Sequence, residues 1–455
     1  MLLTPIVLFV ILMILLYVPP VQNFIRKQAT AIASDATGMN ISVERIDLRF
    51  PLNLLVRGVQ VVQSEADAAD VQHPDTLLNL GSLNVSVQAW PLLQGRVEVN
   101  DITLQQVAVN SSNLLEGMHI KGTLGRFFLE SHGIDLKKED AILNNVELSN
   151  THMQVMLADT TETPKDSTET AVNWRIALHN LKLKNVSVDL QMPLDSMALG
   201  ANIGDASIED ANVDLKRQFY GWRRFTLTES AVNYDSGMAA PVEGFDASHI
   251  ALRDIRIGID SAMACGRDMN AIIREFSMYD RSGLTVTSLT GRLFADSTLI
   301  RIPYLQLKTP HSDMDLTAQT YWKLVDIPTT GHLSARFNAN IGKQDVLLFA
   351  GGLPETFKEA YPFRPLVIHA GTEGNLKQMQ ISRFTAELPG AFFLSGGGEL
   401  WNLTDSLTRN GGLDFEMQTQ DLNFLTGLTG VTPDGSIIVP DSMNLVARFG
   451  LDGPQ

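Results

Sequence analysis

Apolar and polar residues alternate along most of this chain, and the alternation is broken by recurring two-residue polar steps. One copy reads Leu181, Leu183, then Lys184-Asn185, then Val186, Val188, Leu190. Another reads Ile250, Leu252, Arg253-Asp254, Ile255, Ile257, Ile259. The same frame surrounds Glu44-Arg45, Asn100-Asp101, Ser149-Asn150, Glu209-Asp210 and Thr228-Glu229. Period-two alternation puts every second side chain on one face of a strand. A two-residue step fits a tight hairpin, whose flanking residues are cross-strand partners pointing the same way. The frame therefore predicts a mostly β chain of short antiparallel strands, with Leu183 opposite Val186 and Leu181 beside Val188. All the apolar side chains fall on one side. Leu181, Leu183, Val186, Val188, Ile250, Leu252, Ile255 and Ile257 are the candidate lining of an apolar groove.

The N-terminus reads differently. Met1 to Val18 carries no charge, and as a helix it spans ~27 Å, close to the hydrocarbon thickness of a bilayer. A cleaved signal peptide would have a shorter apolar region and a small-residue site soon after it. Here Pro19-Pro20, Arg26 and Lys27 follow, and the nearest A-x-A text, Ala29 to Ala33, lies far downstream. Residues 1–19 are expected to be an uncleaved single-pass transmembrane anchor. The cations follow the segment rather than precede it, but long domains translocate with little regard to charge. Val21, Phe24, Ile25 and Ile32 recur at helical spacing, which predicts an amphipathic exit helix over 20–36.

Strand patterning fills 37–157. Residues 158–171 (ADTTETPKDSTETA) hold a proline and no large apolar residue, and read as a polar loop. Strands resume over 172–340. In 341–455 the stretch Asp345 to Tyr361 predicts two short helices around a Gly-Gly-Leu-Pro break, followed by further strands. Gln344–Phe349 is echoed by Gln420–Leu425, a second-order repeat whose next copy would be cut off at Gln455. Spacing between the frames is irregular, which excludes a strict solenoid.

Composition narrows the function classes. Across 455 residues the net charge is −16, spread thinly, which argues against a nucleic-acid partner because phosphate neutralisation needs clustered Lys and Arg. Cys265 is the only cysteine, so a disulfide framework or thiol metal cluster is excluded. His311, Asp313 and Asp315 would share one strand face, but with no matching cluster elsewhere they read as an ordinary polar face. Gly396–Gly398 lacks a following Lys-Ser/Thr and helix, so it marks a bulge or close backbone packing rather than a phosphate loop. The basic aromatic stretch Lys216–Arg224 fits a strand-connecting loop with anchoring aromatics better than a headgroup or partner contact. No G-x-S-x-G, H-E-x-x-H or paired-Cys motif occurs. No catalytic, cofactor-binding or metal residue is assigned, and the chain is not expected to be an enzyme.

The uncharged N-terminal segment, the exit helix and the run Gly-x-x-Ile-x-Val-x-x-Ile-x-Leu (Gly38 to Leu48) together resemble the start of the AsmA-like family. LLQGRVEVNDITLQQVAV (Leu92 to Val109) and WRIALHNLKLKNVSVDL (Trp174 to Leu190) are similar to that family too. Within it, the chain most resembles TamB-like proteins, inner-membrane subunits of a translocation and assembly module of the kind seen in Bacteroidota. The resemblance implies a long β-sheet curled into an apolar trough, anchored in the inner membrane with its bulk in the periplasm. It also implies phospholipid acyl chains as cargo and an outer-membrane barrel partner, engaged through a C-terminal region with no counterpart before Gln455. No catalytic residues or cofactors come with it. With few amphipathic helices available, the apolar face must meet another sheet, itself or lipid. Two readings follow: a lipid-transfer conduit, or a scaffold or chaperone for outer-membrane protein assembly whose strand edges pair with client strands.

Overall fold

The computed structural model describes residues 39–49, 53–62, 76–88, 99–111, 117–135, 138–157, 173–429 and 442–452, with scattered residues between 22 and 34. The chain is mostly β, 70% strand, with few short helices. It forms two compact units, residues 1–238 and 239–455.

The first unit contains nine strands: β1 (Asn40–Arg49), β2 (Asn53–Val62), β3 (Thr76–Val87), β4 (Val99–Asn110), β5 (Met118–Asp135), β6 (Asp140–Leu157), β7 (Arg175–Met192), β8 (Met197–Asp214) and β9 (Phe219–Ser236). Each pairs with the next in sequence, and β1 and β9 do not pair with each other among the described residues. Two expectations are corrected here. The sheet is not purely antiparallel, because β6 and β7 run parallel. A parallel pair needs a crossover of a dozen or more residues. Residues 158–172, which contain the expected polar loop, supply that connection and lie outside the described residues.

The second correction concerns the polar pairs. They are not hairpin turns. Ser149-Asn150, Lys184-Asn185, Glu209-Asp210 and Thr228-Glu229 lie inside single strands of 18 residues. Leu183 therefore does not face Val186; it faces Leu148 on one side and Ala206 on the other. A type I′ hairpin wants positive φ at both central residues, which favours Asn-Gly. These pairs have one such residue each, at the second position: Asn150, Asn185, Asp210 and Glu229.

The second unit contains β10 (His249–Cys265), β11 (Asp268–Asp280), β12 (Thr285–Val286), β13 (Ser288–Ala295), β14 (Leu299–Lys308), β15 (Asp313–Tyr321), β16 (Leu333–Ile341), β17 (Leu366–Asn375), β18 (Gln378–Leu388), β19 (Phe392–Trp401), β20 (Asn410–Thr419) and β21 (Met443–Asp452). From β13 onward they pair in chain order, all antiparallel. Three short helices, α1 (Trp322–Asp326), α2 (Lys343–Phe349) and α3 (Glu355–Ala360), and a 3-10 segment (Asn423–Thr429) lie between strands. The boundary expected near residue 340 falls inside this unit, where β16 gives way to α2. Helices α2 and α3 lie on either side of the Gly-Gly-Leu-Pro break.

An aromatic core seals one end of the second unit. Phe357, Tyr361, Leu388, Ala391, Leu422 and Phe424 are buried together, with Val346, Leu347, Leu366, Phe392 and Met417 packed against them. Both copies of the repeated phrase feed it: Val346 and Leu347 from one, Leu422 and Phe424 from the other. Each phrase follows the C-terminal end of a strand, β16 or β20, so the repeat places two helical caps at the same strand end. Buried Asp345, in the first turn of α2, accepts hydrogen bonds from Thr309 Oγ1 (2.5 Å) and from the Ser312 hydroxyl. Those bonds tie the cap to the β14–β15 turn.

Among the described residues no helix is long and apolar enough to cross a membrane. The expected anchor, residues 1–19, and the apolar stripe Val21, Phe24, Ile25 and Ile32 lie outside the described residues. The described residues of the expected exit helix (22, 23, 26–28, 30, 31 and 34) are helical, and two of them reach β1. Gln22 Nε2 donates to the Leu48 carbonyl (3.3 Å) and Arg26 Nη1 to the Glu44 carbonyl (2.6 Å).

Candidate functional site

The apolar residues of the first unit form ladders that run across all nine strands. Leu48, Leu54, Val85, Ile102, Leu129, Val146, Leu181, Ile208 and Phe225 are successive cross-strand partners from β1 to β9. A second ladder, two residues along each strand, runs from Ile46 through Phe127, Leu148, Leu183 and Ala206 to Leu227. A third passes Val43, Leu80, Val107, Leu124, Thr151, Val186 and Ile203, and a fourth Ile41, Leu78, Val109, Met153, Val188 and Val232. The same alternation gives the opposite face polar residues. There Arg126 meets Glu147 (3.2 Å) and Asn145 meets Glu130 (2.5 Å).

Between the second and third ladders every strand carries one extra residue, and these residues are aligned. The row reads Glu44, Gly58, Gly81, Gln106, Gly125, Asn150, Asn185, Gly204, Glu229, placed by the pairs printed on either side of each. A single strand with an extra residue would slip against its neighbour. Here all nine step together, so the register is continuous across the row and the apolar residues on both sides of it stay on one face.

Strand direction decides which residue type sits in the row. β2, β4, β6, β7 and β9 run one way, and their row residues Gly58, Gln106, Asn150, Asn185 and Glu229 all have φ between 51° and 59°. The left-handed region favours Gly and tolerates Asn. Three of the four opposite strands carry Gly, and the reason is space. A Cβ would lie 2.9 Å from the Gln106 Cβ at Gly81, 2.8 Å from the Asn150 Cβ at Gly125, and 2.3 Å from the Glu229 carbonyl oxygen at Gly204. Hydroxyls in the third ladder serve backbone groups near the row. Ser230 Oγ donates to the Thr228 carbonyl (2.8 Å) and accepts from Gly204 N–H (3.2 Å), and Thr151 Oγ1 donates to the Ser149 carbonyl (3.4 Å).

The eight candidate groove residues divide between the two units. Leu181, Leu183, Val186 and Val188 occupy one ladder each on β7. Val186 is buried, Leu181 and Leu183 are half-buried, and Val188 is exposed. Ile250, Leu252, Ile255 and Ile257 lie on β10, where Asp254 has φ 50° and the register shifts between Arg253 and Arg256. Ile255 is buried, Ile257 faces Phe276, and Leu252 faces Asp280. This polar pair, too, is a bulge within one strand.

The second unit repeats the ladder plan. Leu289, Leu307, Met314, Ala339, Ile368, Ala386, Leu394, Met417 and Leu445 are successive partners from β13 to β21. The next ladder includes Phe337, Ala370, Phe384, Gly396 and Phe415. Gly396 is small for a reason: a Cβ there would stand 2.3 Å from the Phe415 ring. That ring packs edge-on against Phe384 (6.4 Å) and Phe449 (5.7 Å). The register shift between Ile381 and Phe384 lies opposite Gly397, so the triple glycine combines a bulge with close packing.

Other candidates resolve as structure. Lys216–Arg224 forms the β8–β9 turn and the start of β9, with Arg217 N–H bonded to Asp214 and Arg223 paired to Glu209 (2.6 Å) and Asp210 (2.7 Å). The Arg223 guanidinium, then His179, hold the Asp210 carboxyl below its usual range. Asp313 accepts a hydrogen bond from Asn340 (3.2 Å), and among the described residues no group of three metal-ligating side chains converges. Cys265 ends β10, partly buried. On the open polar face His152 Nδ1 is 2.6 Å from Ser187 Oγ, but Asp189 stands 3.8 Å from the other ring nitrogen, too far to orient it. A cleft of about 930 Å³ in the second unit, between α3 and the 3-10 segment, has a mixed lining that includes Phe363, Arg364 and Asp421. No family model matches this chain, and no curated protein sequence is similar to it.

The sequence does carry a signal for the aligned row. Gly58, Gly81, Gly125 and Gly204 each sit one or two residues from an apolar phase change, as the polar pairs do. The glycines and the pairs Glu44-Arg45, Ser149-Asn150, Lys184-Asn185 and Thr228-Glu229 mark one level, whereas Asn100-Asp101 and Glu209-Asp210 lie at other levels of β4 and β8.

Proposed function

We propose that this chain is a membrane-anchored periplasmic conduit whose apolar strand face, curled into a trough, holds phospholipid acyl chains in passage between the inner and outer membranes. The observation that carries this reading is the set of four in-register ladders across nine strands, two of them apolar throughout and two interrupted only by Thr151, Ser230 and Gly122. Eight interstrand steps span roughly 40 Å, against about 15 Å for the hydrocarbon of one leaflet. A chain lying along a ladder gains ~0.8 kcal/mol for each CH2 taken from water. The gain is similar at each strand, so cargo can move without leaving one deep site. The reading takes residues 1–19 as the anchor and needs neither cofactor nor catalytic group.

The scaffold reading requires free strand edges for client strands. β1 offers less of an edge than the sequence implied, because its carbonyls already accept bonds from Gln22 and Arg26. The test is to purify the full chain in detergent, extract it, and identify bound lipid by mass spectrometry. Stoichiometric phospholipid, lost on Leu183→Asp, supports the conduit. Lipid-free protein that captures unfolded barrel strands contradicts it.

A further inference from the structure

The two strand ends of the first unit differ in chemistry. One end gathers charges, among them Lys138, Glu139, Asp140, Arg175, Asp214 and Arg217. The other is built from β5's start, the ends of β6 and β7, the β7–β8 turn and the end of β9, and its ladder face is apolar and rich in methionine. Met153, Met156, Val188, Leu194, Leu199 and Met238 are all exposed there, Leu194 at 66% and Met238 at 94%. Of the large apolar residues exposed elsewhere in this unit, Ile142 and Tyr220 belong to the charged end. Leu194 sits at the turn, and the backbone leading to Met238 is tied to the same turn, where Gly237 N–H donates to the Ser196 carbonyl (2.9 Å).

We infer that this methionine-rich end is the portal through which acyl chains enter the apolar face of the first unit, an inference that rests on the conduit reading. Three features identify the occupant as hydrocarbon. First, three of the exposed residues continue the ladders, with Met156 on the reverse face: Val188 and Met153 are partners in the fourth, and Leu199 faces Leu190 one step further out. An entering chain thus meets no change of surface. Second, the ladder face at this end carries Ile120, Val155, Leu190, Leu199 and Tyr234 and no charge, with Asp189 and Asp235 on the reverse face and Asp195 in the turn, whereas entry over the other end would strip water from ion pairs such as Arg175–Asp140. Third, methionine's unbranched, polarisable side chain adapts to a mobile guest.

The test places a photoreactive benzoylphenylalanine at Leu194, at Ile142 or at Leu183 in the full chain, mixes each protein with phosphatidylcholine vesicles, and follows lipid adducts over time. Adducts are expected at position 194 first and at 183 afterwards, with position 142 lagging both. Leu194→Asp with Met238→Asp should slow adduct formation at 183 by at least about tenfold, given the cost of a carboxylate in hydrocarbon. Ile142→Asp should leave the rate unchanged. Adding phosphatidylglycerol to the vesicles should not alter it either. An unchanged rate in the double variant, earlier adducts at 142, or a strong response to anionic lipid would overturn the portal. Protein adducts in place of lipid at 194 would also overturn it. No lipid adduct at 183 under any condition would sink the conduit reading itself, and the portal with it.

Discussion

Asn150 and Asn185 stand side by side on the parallel strands β6 and β7, both left-handed, with Asn185 Nδ2 donating to Asn150 Oδ1 at 2.9 Å. They are the sixth and seventh residues of the nine-residue aligned row. In the antiparallel pairs of this unit, left-handed residues alternate with ordinary ones, and only at the parallel pair do two meet. Strand direction thus governs the backbone conformation required at the row, and the parallel pair is where that rule is most exposed to test.

Asn185→Gly keeps access to the left-handed region and removes one side-chain hydrogen bond, so it should cost about 1 kcal/mol or less. Asn185→Val forces a β-branched residue to positive φ and should cost about 2–3 kcal/mol. Urea denaturation followed by tryptophan fluorescence separates the two. Equal losses would mean that the backbone conformation at Asn185 is unimportant.

Deleting Asn185 changes parity. On one side of the deletion every β7 side chain must turn to the other face, which sends either Leu181 and Leu183 or Val186 and Val188 to the polar side. Hydrogen exchange should show loss of protection across β7 and its partners β6 and β8. Native-like protection after the deletion would contradict the in-phase step.

Gly204→Ala should destabilise the first unit by about 1–3 kcal/mol, because the new methyl meets the backbone at Glu229. Gly450→Ala is the control. A Cβ there has open space, and thermal unfolding should be unchanged or slightly raised.

In the second unit Gly396→Ala should strain the Phe415 ring, and Phe415→Leu should relieve part of that strain. A double-mutant cycle is expected to give a coupling of at least about 0.5 kcal/mol. Strict additivity would mean the ring moves aside freely.

Acid should weaken both units. Backbone N–H of Val242, then His249, hold the Asp246 carboxyl below its ordinary value of 3.8, and Arg223 does the same for Asp210. A carboxyl with a lowered folded pKa contributes its full stability above the unfolded value and loses it as pH falls through the folded one. Stability should therefore fall below about pH 4, and Asp246→Asn should flatten that limb of the pH profile. A profile identical to wild type would show that Asp246 does not contribute to the acid limb.

The faces were legible in the sequence because two different backbones obey the same rule. Whether Leu183 and Val186 flank a hairpin or an extra in-line residue, both point to one side. What periodicity does not carry is whether the chain reverses, since that depends on φ at Asn185 and on what lies opposite it. The missing cue was in the partners: Gly81, Gly125 and Gly204 are needed only if neighbouring strands pass the same level unturned. The parallel β6–β7 pair was likewise invisible, because parallel and antiparallel neighbours can present the same alternating face. The helical cap was more legible, because a Gly-Gly-Leu-Pro break and two copies of one phrase are local signals.

A lipid conduit of this kind requires that the laddered face, and not its reverse, touches lipid. Neighbouring residues on β7 test this most directly, because Leu183 and Lys182 share a strand and differ in face. Benzoylphenylalanine at each position in living cells, followed by ultraviolet exposure and mass spectrometry of the purified chain, should give phospholipid adducts at 183 and none at 182. Equal labelling of both positions, or protein adducts alone at 183, would contradict it.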